Sequence, residues 1–356
     1  PLLGHVAAGW RHTPSVYGTT WTAYSAVAMF LTGGSALFAR LAFQALAGAA
    51  VVAALAVLWH RYRRPGVVAW LGLQPVVWIS VVNNGHNDAV VGLGILAGAL
   101  LLASRRPRVA AVVFALAATV KFTALLAVVG GAVWLWRRHG ARVAARFTGF
   151  AALLVAVGYA PIALTNLGAL SAADHRVSRG SSWNPSLHWF VSASGGRHVF
   201  AGMTRAHALA LLSLAALLVV AFGAIVLAVR RSASGDAPAS VGAALCAFLF
   251  GGAYVLPWYS MWVLPTTAGR SRAWTSRVIA VQAGVLAAIY QLPQVPTGKV
   301  FDGDLRFALT RVAPACLLVA FMVAFVVETM PSRSRGGPRF EPAMAGPARP
   351  REAAAA

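Results

Sequence analysis

The chain is poor in charge, and poorer still in lysine and in acids. Of its 356 residues only 11% are charged, eight are acidic, and the lysines are Lys121 and Lys299. Soluble domains carry about 25% charged residues, so this composition excludes a soluble enzyme and a disordered protein. Cysteine is also scarce. Cys246 and Cys316 both lie in apolar stretches, which excludes a disulfide framework and offers no metal site. The short basic turns contain no Gly-rich phosphate loop, and no nucleotide-binding domain is predicted. The chain opens on Pro1 with neither Met nor a signal-peptide pattern, so further residues are expected upstream.

What is abundant is apolar sequence: 59% of residues are hydrophobic and mean hydropathy is +0.71. These residues fall in blocks at 36–60, 66–82, 88–103, 109–136, 146–164, 206–229, 240–269, 277–292 and 307–329, with a shorter one at 20–32. The blocks are of membrane-span length, which predicts an all-α polytopic transmembrane bundle in a bilayer. Arginine clusters separate them: Arg61/Arg63/Arg64, Arg105/Arg106/Arg108, Arg137/Arg138/Arg142/Arg146, Arg230/Arg231, Arg270/Arg272/Arg277 and the tail. The net charge of +22 therefore reads as topology signals, not as a nucleic-acid surface. Placing the clusters in the cytoplasm puts 20 of the 30 basic residues inside. Residues 1–330 then form one transmembrane domain, and the Pro/Gly/Arg-rich stretch 331–356 a disordered cytoplasmic tail. The Arg, Ala, Val and Gly bias suits a high-GC bacterial genome, and the membrane is expected to be a bacterial plasma membrane.

This topology starts and ends blocks 109–136 and 240–269 on the same side. Each has only 28–30 residues, where two full spans need about 40. Each is read either as a hairpin of short helices, broken near Lys121 and at Pro257-Trp258-Tyr259, or as one long tilted span. The polar chemistry collects on the outer side. Asn83-Asn84-Gly85-His86-Asn87-Asp88 packs five polar groups into six positions, where helix capping by Asp88 needs only one. Lys121 sits centrally in an apolar block, which calls for an anionic ligand or an internal ion pair, with Asp88 as one partner. Trp258 and Tyr259 belong either to an interfacial aromatic belt or to a ligand-contacting wall. Trp183 to Trp189, with His188, reads as a re-entrant or interfacial loop. Asp302 and Asp304 form either a cation site or a solvated turn, and Asp174-His175 is a weaker polar pair.

Gly85-His86-Asn87-Asp88, followed by Arg106-Pro107 and Val120-Lys121, resembles the polyprenol-phosphate-mannose-dependent α-1,6-mannosyltransferases of actinobacteria. Thr13 to Gly18, which includes Tyr17, and Pro257-Trp258-Tyr259 are similar to further signatures of that group. The resemblance covers roughly residues 10–270. It implies a GT-C architecture, an outward-facing active site, and transfer of mannose from a polyprenyl-phosphate donor to a glycan or glycolipid acceptor. It implies no cofactor, and no metal is indicated. Carried onto this sequence, it gives Asp88 the role of base or acceptor-hydroxyl binder and Lys121 that of phosphate partner. His86 and Asn87 would orient sugar hydroxyls, and Trp258, Tyr259, Tyr17 and His188 would contact substrate. The family's usual acidic residue in the first external loop would lie before Pro1, and Gly18-Thr19 stands where Gly-Pro is common. A secondary transporter of a small solute or lipid-linked substrate is the competing class, since broken helices and intramembrane charge also build transport sites.

Overall fold

The computed structural model describes residues 17–165, 177–186, 205–233, 236–294 and 303–330. These are helical and contain no strand. In chain order they form α1 (Thr19–Leu31), α2 (Ala36–Tyr62), α3 (Pro65–Gly72), α4 (Asp88–Ala103), α5 (Pro107–Val120), α6 (Leu125–His139), α7 (Ala141–Thr165), α8 (Arg205–Ser232), α9 (Ala237–Gly251), α10 (Ser260–Thr267), α11 (Trp274–Gln291) and α12 (Asp304–Thr329). Helices α2, α7, α8 and α12 are long and apolar enough to cross a bilayer. Their outward faces carry exposed residues such as Leu217, Leu218, Phe222 and Val323, which water would not tolerate as one continuous surface. The polytopic all-α bundle expected from composition is the fold observed. His188, Asp174, His175, Asp302 and the tail 331–356 lie outside the described residues.

Block 66–82 departs from the expected single span. It ends as a helix at Gly72 and resumes, after Pro75, as a π-helical turn over Val77–Val82. Pro75 lacks an N–H and disfavours helical backbone at Gln74, which accounts for the interruption.

Both short blocks are hairpins. Phe114 of α5 packs edge-on against Phe147 of α7, and the Tyr159 hydroxyl of α7 donates to the Ala118 carbonyl at 3.0 Å. Helix α5 therefore runs parallel to α7. Helix α6 meets α7 through the single residue Gly140 and runs the opposite way. In the second hairpin Phe248 of α9 lies beside Tyr259 and Trp262, and Gly242 beside Thr266 of α10. Limbs of 14 and 15 residues rise only about 21–23 Å, short of the ~30 Å hydrocarbon core.

A chain that turns at this depth must satisfy the carbonyls freed at its helix ends. At the first break the Gly18 N–H donates to the Val120 carbonyl (3.2 Å), and the Thr20 and Thr119 hydroxyls meet at 2.8 Å. A side chain at position 18 would collide with the Thr119 carbonyl, so glycine is needed for this approach. At the second break, segment 177–186 supplies the donors. Ser182 Oγ reaches the Phe250 carbonyl (2.8 Å), Trp183 Nε1 that of Gly251 (2.7 Å), Ser181 Oγ that of Gly252 (2.7 Å) and Ser178 Oγ that of Val255 (2.8 Å). This part of the expected re-entrant loop thus acts as a plug of donors for the broken end of α9.

The ends of the helices sort by charge. The turns after α2, α4, α6, α8 and α10 share one face of the bundle, and the arginine clusters stand there. At that face Arg231 Nη2 donates to Glu328 Oε2 (2.9 Å) and Thr275 Oγ1 (3.1 Å). Glu328 Oε1 accepts from the Thr275 N–H at 2.9 Å. Three helices, α8, α11 and α12, are tied by this network.

Two outcomes follow from the geometry. Removing Glu328 takes a directly bonded carboxylate from the buried Arg231 guanidinium, so Glu328→Ala is expected to cost about 1.5–3 kcal/mol, measured by unfolding in detergent. The paired change Arg231→Met/Glu328→Leu should cost less, because no charge is left alone. Single cysteines at positions 106 and 138 should label from the same side of sealed membranes, and a cysteine at the exposed position 84 from the other. Labelling of 106 and 138 from opposite sides would contradict the hairpin.

Candidate functional site

The two breaks and the 83–87 turn come together on the face opposite the arginines. The turn is set by Gly85, whose φ of +62° suits glycine and whose close packing on Phe43 leaves no room for a side chain. Gln44 of α2 donates to the Asn83 carbonyl and fixes the start of the turn. Asn87 is the N-cap residue of α4, but its side chain makes no capping bond, and Asp88 is the first helical residue. Capping is thus not the role of Asp88.

Asp88 is fully buried and its carboxylate takes two partners. Lys121 Nζ lies 3.0 Å from Oδ1 and 3.3 Å from Oδ2, and Trp262 Nε1 donates to Oδ1 at 2.8 Å. The N-terminus of α4 adds a favourable dipole for the anion. Of the two sequence readings of Lys121, the structure realises the internal ion pair. The backbone break at Lys121 (φ −149°, ψ 116°) ends α5 and turns the side chain toward Asp88. Around the ammonium stand aromatic rings, with centroids at 4.2 Å (Tyr259), 5.2 Å (Trp262) and 5.7 Å (Tyr17). Such rings attract a cation without discharging it. Lys121 keeps 11% side-chain exposure while Asp88 keeps none, so the lysine is the member of the pair nearer the surface.

His86 stacks on Trp258 at 3.8 Å between centroids and 20° between planes. In its turn between the spans, burial pushes the His86 imidazole down to about 4, with Lys121 adding to the effect and Asp88 opposing it. It is therefore neutral at ordinary pH and presents a flat surface with one donor and one acceptor. Asn87 is buried, and neither its amide oxygen nor its nitrogen has a partner among the described residues. The hydroxyls of Ser80 and Ser260 share that condition. An unmatched buried polar group costs about 1–3 kcal/mol, and Asn87, Ser80 and Ser260 each carry at least one among the described residues.

The structure therefore brings Asp88, Lys121, His86, Asn87, Trp258, Tyr259 and Tyr17 to one place. Asp304 stands apart, exposed at the start of α12. Trp262 is the site residue that sequence reasoning did not single out. Its signal was the i, i+3 spacing from Tyr259, which puts both rings on one face of a helical turn, where they stack at 4.5 Å. Gly92 makes its reach possible: one turn beyond Asp88, a methyl group there would collide with the Met261 carbonyl.

Fold and site together define a helical membrane protein with a buried, aromatic-walled ion pair at a double helix break. Residues 1–138 match the family model described as alpha-(1->6)-mannopyranosyltransferase, N-terminal domain. Alpha-(1->6)-mannopyranosyltransferase A of Corynebacterium glutamicum is 28% identical over 145 residues, which is 39% of this chain and 29% of that protein. The chain thus spans less than a third of the curated relative that it matches. No solved structure matches. The resemblance drawn from Gly85 to Asp88 and Val120-Lys121 is upheld by these comparisons. Trp258, Tyr259 and Trp262 lie beyond the 138 matched residues.

Trp262→Phe keeps the ring but removes the donor to a buried carboxylate. It is expected to cost about 1.5–3 kcal/mol of stability. Gly92→Ala should give a loss of about 1–3 kcal/mol by forcing α4 from α10. Thermal unfolding in detergent, with helix content checked by circular dichroism, measures both.

Proposed function

We propose that the chain acts as a membrane glycosyltransferase, moving mannose from a polyprenyl-phosphate donor to an envelope glycan or glycolipid. The carrying observation is the Lys121 ammonium, held by Asp88 at a helix break beside unpartnered polar groups and stacked aromatic rings. The match of residues 1–138 to a mannopyranosyltransferase domain supports the class. The positive-inside rule assigns the arginine face to the cytoplasm, so the site would face outward, in the plasma membrane of a bacterium. Placement of the polar groups toward one face favours an enzyme over a transporter with a midplane site.

In the transfer, an acceptor hydroxyl oxygen bonds to the anomeric carbon while the bond from that carbon to the phosphate oxygen breaks. The phosphate leaves with an added negative charge, and the acceptor proton passes to a base. Lys121 would meet that growing charge as a point cation. Asp88, shielded behind Lys121 and Trp262, acts through the ammonium and is a positioning residue in this scheme. That role replaces the one of base or acceptor-hydroxyl binder given to it by resemblance. Asn87 would pair with sugar hydroxyls, and the His86–Trp258 stack, with Tyr259 and Tyr17, would wall the sugar or prenyl path.

The test uses the full-length protein in membranes, with labelled polyprenyl-phosphate mannose and matched expression. Lys121→Met and Asp88→Asn are each expected to lower kcat/KM for the donor about 10²-fold, the scale of one lost electrostatic donor. Because the two act as a unit, the double variant should be little worse than either alone. Acceptor KM should stay unchanged. Wild-type turnover in Lys121→Met would remove the carrying observation, and full additivity would separate Asp88 from Lys121.

A further inference from the structure

On the arginine face, remote from the ion pair, a cavity of about 700 Å³ opens between two turns some two hundred residues apart in sequence. One turn joins α2 to α3 and contributes Arg64 and Gly66. The other joins α10 to α11 and contributes Gly269, Arg270, Ser271 and Arg272. The turns meet because Gly269 packs directly against the Tyr62 ring, where any side chain would collide. The lining holds three guanidinium groups and no carboxylate. The nearby acids are Asp236, within electrostatic reach of Arg61, Arg231 and Arg270, and Glu328, within reach of Arg270. Other arginines of this face, such as Arg138 and Arg142, stand exposed on the ends of α6 and α7. Arg64 and Arg272 are exposed as well; what sets them apart is that they line one open cavity together with the half-buried Arg270.

We propose that this cavity binds a phosphate group, carried by an anionic lipid headgroup or by free phosphate. Planar guanidinium forks recognise phosphate oxygens through paired charge-assisted hydrogen bonds, which a hydrated lysine ammonium does less well. The site lies where α2 ends and α11 begins, on the face that carries the arginine clusters. It is independent of the transferase reading, since it shares no residue with that site.

The full chain, purified in mild detergent, is exposed to phosphatidylglycerol or phosphatidylcholine, and bound lipid is counted by native mass spectrometry. Wild type should retain phosphatidylglycerol in clear excess. Arg64→Gln/Arg272→Gln should lower that retention about tenfold or more, while the control Arg138→Gln/Arg142→Gln leaves it unchanged. A second arm adds inorganic phosphate alone. Displacement of the lipid at millimolar phosphate identifies phosphate itself as sufficient, and lipid retention without displacement identifies the headgroup as the source. Equal loss in the cavity and control variants would overturn the proposal in favour of diffuse surface charge. So would equal retention of the two lipids by wild type when phosphate produces no shift in the unfolding temperature. The exposed single change Arg272→Gln carries the same comparison if the double variant unfolds.

Discussion

An ammonium placed among apolar helices has to be held by something, and most of the architecture around residues 83–125 follows from holding Lys121. Burying a charge without a partner costs several kcal/mol, and removing one member of a buried pair typically costs about 3–5 kcal/mol. The partner is Asp88, brought within 3.0 Å by a turn on one element and a backbone break on another. Trp262, from a second break far along the chain, donates to the same carboxylate at 2.8 Å. The pair thus binds α4, α5 and α10 at the point where two of these helices stop short of the bilayer face. Gly92 sets the spacing that this requires, and Gly18 sets the matching approach of α1.

Broken helices in a membrane carry a second cost, the freed carbonyls, and each break meets it differently. The first uses the backbone N–H of Gly18 and the hydroxyls of Thr119 and Tyr159, which reach the carbonyls of Val120, Leu116 and Ala118 respectively. The second uses three serines and a tryptophan from segment 177–186. Hydroxyls suit this task because each brings one donor in a small volume. The consequence is that carbonyls freed at both breaks are met from within the bundle, beside Lys121, Asn87 and His86.

Much of this was legible in the sequence because membrane physics restricts the choices. Arginine clusters grouped the helix ends on one side, and block lengths of 28–30 residues between clusters on that side pointed to hairpins, with one long tilted span as the alternative. A lone lysine in an apolar block called for an anionic ligand or an internal ion pair, and Asp88, the first acid in the chain, was the partner considered for the pair. The interruption at Pro75 was missed because block 66–82 reads as uniformly apolar, and hydropathy does not register a missing N–H. Trp262 was missed because its role depends on how α10 lies against α4, a tertiary fact with only the spacing from Tyr259 as a local trace. The serine plug was hidden for the same reason, since which carbonyls Ser178, Ser181 and Ser182 meet is settled only by packing.

The order of exposure within the ion pair argues for how the site divides its labour. Asp88 has no accessible surface and engages Lys121 and Trp262, while the lysine side chain retains 11%. A carboxylate in that position cannot reach an acceptor hydroxyl without first giving up the ammonium, and doing so would leave a bare charge in a low-dielectric wall. An ammonium can do the reverse. It can lean from its carboxylate toward an incoming phosphate while still facing the rings of Tyr259 and Trp262, which keep attracting it along the way. The aromatic wall therefore does more than line a path. In the proposed transfer it would lower the cost of sharing one cation between two anions as negative charge grows on the departing phosphate.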